Sequence, residues 1–174
     1  EVIDTETLEV VDQIDDVKFS GLAWRGEAGF YYSRYDSPEG NELTAKTDHH
    51  RLYFHELGTA QTDDAVIFGD GEGEKYRYVS GYVTEDQQFL VIYASNTTSG
   101  NRLFIKDLKV PGAELVVVAN DEISDISIVF SQDGVLFAQT NRSAPNTRLV
   151  RFTLDAAQPE QWQDVIGETE NVLN

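Results

Sequence analysis

One short pattern occurs three times along the chain, and its spacing constrains the fold more than any other feature of the sequence. A polar loop leads into an Arg-Leu pair and then a short apolar run, as in SNTTSGNRLFIKDL. The three pairs are Arg51-Leu52, Arg102-Leu103 and Arg148-Leu149. A repeat of about 50 residues is expected of a β-propeller, in which each blade is a four-stranded antiparallel sheet.

The other strands of each blade recur in the same order around these pairs. Aromatic and β-branched runs predict second strands at 29–35, 88–95 and 134–141, preceded by first strands at 19–24, 79–84 and 125–130. Fourth strands follow at 63–68, 113–118 and 162–166. A run at 7–14 resembles a fourth strand without the first three. We therefore expect an all-β propeller segment: an outer strand of a preceding blade in 1–17, then blades in 18–70, 71–120 and 121–174.

Composition excludes several classes of partner and site. The formal net charge is −18 and cysteine is absent, which removes disulfides, thiolate metal sites and a cysteine nucleophile. So acidic a surface repels nucleic acid and anionic membranes. Charge alone leaves open whether the acidity serves solubility, adaptation to a salty habitat or the steering of cationic ligands. No run approaches the roughly 18 apolar residues that span a bilayer.

Three blades cannot close a ring with their own edges. A blade buries its faces only against neighbours, so the terminal faces would be exposed. We expect the chain either to be part of a larger propeller or to associate with other copies through its exposed blade edges. The chain begins at Glu1 without Met and without the pattern of a signal peptide, which indicates a processed or excised piece. The compartment stays open between cytoplasm and periplasm, with a slight preference for the cytoplasm.

An ordered set of segments resembles the propeller domain of the prolyl oligopeptidase (prolyl endopeptidase) family of serine peptidases. The set runs VKFSGLAW, GFYYSRYD, HHRLYFHELGTAQTDD, YVTEDQQFLVIYASNTTSGNRLFIKDL and TNRSAPNTRLV, in that order. The resemblance covers essentially the whole chain, from about Val2 to Leu173. It implies part of a seven-bladed propeller that is inserted in an α/β-hydrolase, with none of the hydrolase itself.

The residues themselves also indicate that the catalytic site lies outside this chain. A hydrolase of this class needs a Gly-x-Ser-x-Gly nucleophile elbow, and the sequence contains none. We therefore expect no catalytic residue in this chain and no cofactor. The resemblance implies two partners: an α/β-hydrolase domain of the same parent chain, and short proline-containing peptides.

The resemblance also points to two groups of site residues. Phe19 matches a family aromatic that lines the substrate site, and Tyr78, Thr97 and Thr98 fall near further lining positions. The stretch Tyr35 to Asp48 aligns with a family loop that admits substrate. Its candidate gating residues are Tyr35, Asp36, Glu39, Glu42, Lys46 and Asp48. The alternatives are that Phe19 simply packs as the first aromatic of an inner strand, and that the loop is an ordinary surface loop.

The histidines and the acidic loop are weak candidates for a metal site. In an extended strand His49 and His55 face the same side but lie roughly 20 Å apart, and His50 faces the other side. That separation is too long for one ion. The loop at 69–75 lacks the ligand spacing of an EF-hand. We expect structural or solvent-facing histidines and no metal.

Two functions fit these observations. The first is the non-catalytic, substrate-gating propeller of a prolyl oligopeptidase-like serine endopeptidase that cleaves after proline in short peptides. The second is a non-enzymatic binding or scaffold propeller that is completed by oligomerisation. A native reading frame that continues into a Gly-x-Ser-x-Gly elbow would separate the first from the second.

Overall fold

The structure, a computed structural model, describes residues 1–35, 49–71 and 75–173. These residues form β-strands, 3₁₀ turns and loops. Among them we find no helix with the length and hydrophobicity needed to span a bilayer. The strands are β1 (Val2–Ile3), β2 (Val10–Asp12), β3 (Leu22–Trp24), β4 (Gly29–Tyr35), β5 (His50–Glu56), β6 (Ala65–Phe68), β7 (Tyr78–Val83), β8 (Phe89–Ser95), β9 (Arg102–Asp107), β10 (Val116–Ala119), β11 (Ile126–Gln132), β12 (Val135–Thr140), β13 (Arg148–Phe152) and β14 (Gln163–Ile166).

The strands group in fours, as the repeat predicts. Three four-stranded sheets contain β3-β4-β5-β6, β7-β8-β9-β10 and β11-β12-β13-β14, each in chain order, and we call them the first, second and third blades. The all-β propeller prediction is confirmed. The residue boundaries 18–70, 71–120 and 121–174 stay predictions. The sequence pattern placed β4 at the same residues as the structure and most other strands within a few residues.

The leading segment differs from the single strand expected at 7–14. It is a small two-stranded antiparallel sheet in which Val2 pairs with Asp12 and Ile3 with Val10. The Asp4 carboxylate creates the turn by accepting the backbone N–H groups of Glu6 and Thr7, each at 2.8 Å. A carboxylate that bonds N–H groups two and three residues ahead favours a turn over an extended strand.

The chain divides into two compact units, Glu1–Gly81 and Tyr82–Asn174. The core of the first unit is aromatic and centres on Phe30, Tyr32 and Tyr53. The core of the second unit is mainly aliphatic, with Leu103 and Leu136 fully buried. Strands β4 and β8 are buried along consecutive residues, because both faces of a blade's second strand are covered. Strand β14, by contrast, is exposed at all four of its residues.

The Arg-Leu repeats serve the architecture. Leu52 and Leu103 are fully buried, and Leu149 is half-buried. Leu52 packs so closely against β7 that a Cβ atom on Gly81 would lie 2.9 Å from its Cδ1. The arginines pair with acidic side chains: Arg51 with Asp70 at 3.1 Å, Arg102 with Glu122 at 3.3 Å and Arg148 with Asp164 at 2.9 Å. Such partly exposed pairs contribute about 1 kcal/mol or less, so leucine burial is the larger stabilising effect.

Gly100 provides a test of how closely the segments of the second unit approach each other. Its φ is +73°, and an added Cβ would lie 2.0 Å from the Glu122 carbonyl oxygen. Gly112 has a similar φ of +72° but nothing within 4 Å of its Cβ position. We expect Gly112→Ala to lower the free energy of unfolding by about 1 kcal/mol, through left-handed backbone strain alone. Gly100→Ala should cost more than about 3 kcal/mol, because the steric overlap adds to that strain.

Urea unfolding followed by circular dichroism at neutral pH measures both losses. Equal losses for the two variants would show that the Gly100 approach imposes no steric limit.

Candidate functional site

Phe19 stands out from the core instead of packing into it. It lies just before β3, is 71% exposed and has a φ of +54°, which is uncommon for a bulky side chain. The next residue fixes this turn, since the Ser20 hydroxyl accepts the Ser33 N–H at 2.7 Å and donates to the Gly21 carbonyl at 2.6 Å. A strained backbone that presents an aromatic ring to solvent supports a site hypothesis for Phe19.

Phe19 belongs to a row of rings at one end of the first blade. Its ring meets Tyr35 edge to face, with centroids 6.4 Å apart. Tyr35, the last residue of β4, in turn stacks on His50 at 4.2 Å, and its hydroxyl donates to the Arg77 carbonyl at 2.7 Å. We call Phe19, Tyr35, His50 and Tyr78 the aromatic row. Phe19 and Tyr78 are the lining candidates of the sequence analysis and Tyr35 is a gating candidate, and these roles stay predictions.

Tyr78, the first residue of β7, is 38% exposed, and its phenol lies near that of Tyr35. The pKa of the Tyr35 phenol is raised first by burial and then by the nearby phenol of Tyr78. The Tyr35 hydroxyl therefore stays protonated near neutral pH, and the row offers a mostly apolar surface with two phenol groups. Such a surface suits an apolar ligand with a few polar atoms.

His50 connects the aromatic row to the next blade. Its backbone N–H donates to the Tyr76 carbonyl at 2.8 Å, and its ring Nδ1 accepts the Val79 N–H at 2.9 Å. Because Nδ1 accepts, the neutral ring carries its proton on Nε2. Burial lowers the pKa of His50 to about 4, against a weaker opposing effect of the Lys18 backbone. His50 is thus a neutral structural residue.

The second blade uses the same device with a different side chain. The Asn101 N–H donates to the Ser124 carbonyl at 3.0 Å, and Asn101 Oδ1 accepts the Ile126 N–H at 2.9 Å. His50 and Asn101 each stand immediately before an Arg-Leu pair. The residue before the pair therefore holds the first strand of the next blade, and we call this contact the seam clip. Sequence reasoning missed it because His and Asn share no composition signal, although their fixed position before Arg-Leu could have revealed it.

The threonine candidates lie in the second unit and have different environments. The Thr97 hydroxyl lies 2.6 Å from the Ser99 carbonyl and 3.2 Å from Glu122 Oε2, so it stabilises the loop in which it lies. Glu122 also accepts the Asn96 N–H at 2.9 Å. Thr98 is exposed. The structure therefore groups Phe19, Tyr35 and Tyr78 in one unit, while Thr97 and Thr98 belong to the other.

Five of the six gating candidates, Asp36, Glu39, Glu42, Lys46 and Asp48, lie outside the described residues. Only Tyr35 of that set is described, and it anchors the aromatic row. Within 1–35, 49–71 and 75–173, no three His, Asp or Glu side chains are arranged to hold a metal ion. His55 is instead enclosed by the carboxylates of Asp12 and Asp64.

Comparisons with known proteins agree in pointing to one family. The sequence model described as "Prolyl oligopeptidase, N-terminal beta-propeller domain" matches residues 1–174. The chain is 46% identical over 172 residues to a prolyl endopeptidase of Elizabethkingia miricola, covering 97% of the chain and 24% of that relative. It is 43% identical over 176 residues to a prolyl endopeptidase of Elizabethkingia meningoseptica, covering 99% of the chain and 24% of that relative.

A solved structure shows the same similarity in three dimensions. Prolyl oligopeptidase B from Galerina marginata, bound to a 35mer hydrolysis and macrocyclization substrate, superimposes with a TM-score of 0.77 at 27% sequence identity. The match covers 89% of this chain and 22% of that one. The chain therefore spans about a quarter of the length of the proteins it matches.

The seam clip at His50 predicts a specific loss of stability in acid. The folded-state pKa of His50, about 4, lies below the ordinary 6.5, so the neutral ring stabilises the fold. This stabilisation is complete above pH 6.5 and is lost as the pH falls towards 4. The loss should be about 3 kcal/mol. In His50→Asn, which keeps an acceptor for the Val79 N–H as Asn101 does at the next seam, this part of the pH dependence should disappear.

Urea unfolding at a series of pH values tests this expectation. The neighbouring variant His49→Asn is the matched control and should keep the wild-type profile. Coincident profiles for wild type and His50→Asn would contradict the assignment.

Proposed function

Because the chain belongs to the prolyl oligopeptidase N-terminal β-propeller family, we propose that it is the non-catalytic, substrate-gating part of a serine endopeptidase that cleaves after proline in short peptides. The observation that carries this proposal is the match of residues 1–174 to the propeller domain, together with 46% identity to a prolyl endopeptidase. Its partners would be an α/β-hydrolase domain of the same parent chain and proline-containing peptides.

The division of labour follows from the residues. The 174 residues contain no Gly-x-Ser-x-Gly elbow and no cysteine, so the nucleophile, base and oxyanion donors would come from the hydrolase domain. The propeller would exclude folded proteins from the active site and would contact the peptide substrate. Stiff sheets that cover a hydrolytic site keep folded proteins from the nucleophile and admit short, flexible peptides. Access to such a site requires domains or loops to move, and the stretch Tyr35 to Asp48 is the proposed gate, on the strength of the family resemblance.

The aromatic row would supply part of the wall that contacts the peptide. Phe19 and Tyr78 present exposed apolar surface, and the Tyr35 ring sits between Phe19 and His50. Burying about 80 Å² of the Phe19 ring against an apolar substrate group would contribute about 2 kcal/mol. Thr97 would hold its loop in shape while Thr98 faces the substrate.

A chimera tests the assignment. The chain replaces the matching quarter of the Elizabethkingia miricola prolyl endopeptidase, and cleavage of short and long proline-containing chromogenic peptides is measured. We expect kcat/KM for the short peptide within about tenfold of the parent enzyme and a retained preference for it over the long one. The isolated chain should show no turnover.

Two outcomes would contradict the proposal. Turnover by the isolated chain would place chemistry within the propeller. A chimera that folds but cleaves neither peptide would favour a binding or scaffold module.

A second prediction concerns the wall itself. In the chimera, Phe19→Ala should raise KM for the short peptide by about thirtyfold with little change in kcat, because it removes a contact of about 2 kcal/mol made equally in the ground and transition states. The matched control is Phe130→Ala, which removes another partly exposed ring, 43% exposed and stacked on Phe137 at 4.2 Å. Equal effects of the two substitutions would show that Phe19 has no specific contact with substrate.

A further inference from the structure

His55 has a carboxylate on each of its two ring nitrogens. Its Nδ1 lies 2.8 Å from Asp64 Oδ1, and its Nε2 lies 3.0 Å from Asp12 Oδ2. The His55 side chain is fully buried, and the side chains of Asp12 and Asp64 are only 9% and 1% exposed. Asp12 lies on β2 of the N-terminal sheet, whereas His55 lies on β5 and Asp64 directly precedes β6. The ring therefore joins the N-terminal sheet to the first blade.

The hydrogen bonds fix the charge of the ring. An ionised carboxylate only accepts hydrogen bonds, so both nitrogens of His55 must donate, and the ring is an imidazolium. A neutral ring would turn a nitrogen lone pair towards one of the buried carboxylates. Breaking one arm of a buried charged cluster in this way is strongly destabilising.

The neighbouring groups keep the two carboxylates in place. Asp12 also accepts the N–H groups of Gly58 and Gln13, each at 2.7 Å. Asp64 Oδ2 accepts the Tyr32 hydroxyl of β4 at 2.8 Å. The ring of Phe30 covers one side of His55 at a centroid distance of 5.2 Å. The cluster is thus a preformed cradle for a cation with one proton on each nitrogen.

Within residues 1–35, 49–71 and 75–173, the other contacts that hold the N-terminal sheet are weak. Its strands are two and three residues long, and a two-stranded sheet of this size is unstable alone. Val10 and Val11 are 54% and 53% exposed, so they bury little surface. Among the described residues, the other attachments include apolar contacts of Val2, Ile14 and Val17 with the aromatic core. They also include a reciprocal pair of hydrogen bonds between the Asp15 backbone and the Gln61 side chain.

We propose that Asp12, His55 and Asp64 form a proton-operated latch, which holds the N-terminal sheet on the first blade while the His55 ring is charged and releases it when the ring loses a proton. The latch is separate from the aromatic row and from the proposed peptidase function. It makes the attachment of β1 and β2 a reversible, alkaline-sensitive property of the fold.

The direction of the pH dependence follows from the contacts. Burial alone would lower the pKa of His55, but the hydrogen bonds and charges of Asp12 and Asp64 outweigh it and raise the pKa above 6.5. A raised folded-state pKa means that the latch acts fully below pH 6.5 and is lost as the pH rises through the folded-state value.

The other groups that face the cluster keep their charge states over this range. The pKa of Asp12 is lowered: burial opposes its ionisation, but the Gly58 N–H and His55 outweigh that effect. Burial and Asp64 raise the pKa of Tyr32 to about 12, and the Arg34 guanidinium, near Asp64, stays charged. An alkaline transition in this region of the first unit therefore reports on His55.

Nuclear magnetic resonance of the chain labelled with nitrogen-15 histidine tests the latch directly, since the chain has only 3 histidines. At pH 7 we expect both His55 ring nitrogens to carry protons, in contrast to the neutral, singly protonated ring of His50. A His55 ring that is neutral at pH 7 would overturn the proposal.

Hydrogen exchange across pH 6 to 10, corrected for intrinsic exchange rates, tests the release. Protection of β2 and of the Gly58 amide should fall with rising pH by about tenfold for each unit by which the ring pKa exceeds its unfolded value. Asp12→Asn removes one carboxylate charge, so the transition should move to lower pH, while His49→Asn should leave it in place. Protection that does not change with pH, or an Asp12→Asn transition at the wild-type pH, would overturn the latch.

Discussion

The seam between neighbouring blades is the constraint on which the rest of this structure depends. A blade is a twisted sheet with two apolar faces, and it is stable only when the next sheet covers it. The Arg-Leu repeats meet this need in two ways. Leu52 and Leu103 fill the buried layer, and the residue before each of these pairs bonds to the backbone of the following blade. Three consecutive residues thereby supply both the apolar packing and the hydrogen bonds of the seam.

The same seam produces the candidate site. His50 is buried as a seam clip on one side and stacks on Tyr35 on the other, so the ring that joins two blades also supports the aromatic row. Phe19 lies just before β3 and Tyr78 begins β7, and both side chains are exposed. The site is therefore a product of how blades begin and meet, and it needs no loop built for it within the described residues.

Much of the fold could be predicted because it rests on local patterns that repeat. The alternation and composition of GFYYSRY, and its position before Arg51-Leu52, located a strand to the residue. The N-terminal sheet was missed because a single carboxylate, Asp4, bends a run that otherwise has strand composition. The enclosure of His55 was missed for another reason: Asp12 lies 43 residues before His55, and only the folded backbone brings its side chain to the ring that Asp64 also contacts. The placing of Phe19 and Tyr78 came from family resemblance, since no local rule marks an exposed aromatic as functional.

The third blade shows what a seam made of backbone contacts permits. Thr147, which precedes its Arg-Leu pair, donates its hydroxyl to the Leu173 carbonyl at 2.8 Å, and the Asn146 carbonyl accepts the Leu173 N–H at 2.9 Å. Here the side chain donates and the backbone carbonyl accepts, the reverse of the contacts at His50 and Asn101. The hydrogen bonds are again made to peptide groups, which every residue carries. These hydrogen bonds therefore place no requirement on the side chains of the incoming segment. Side-chain identity is matched across a seam through apolar contacts instead, such as that of Leu52 with Gly81.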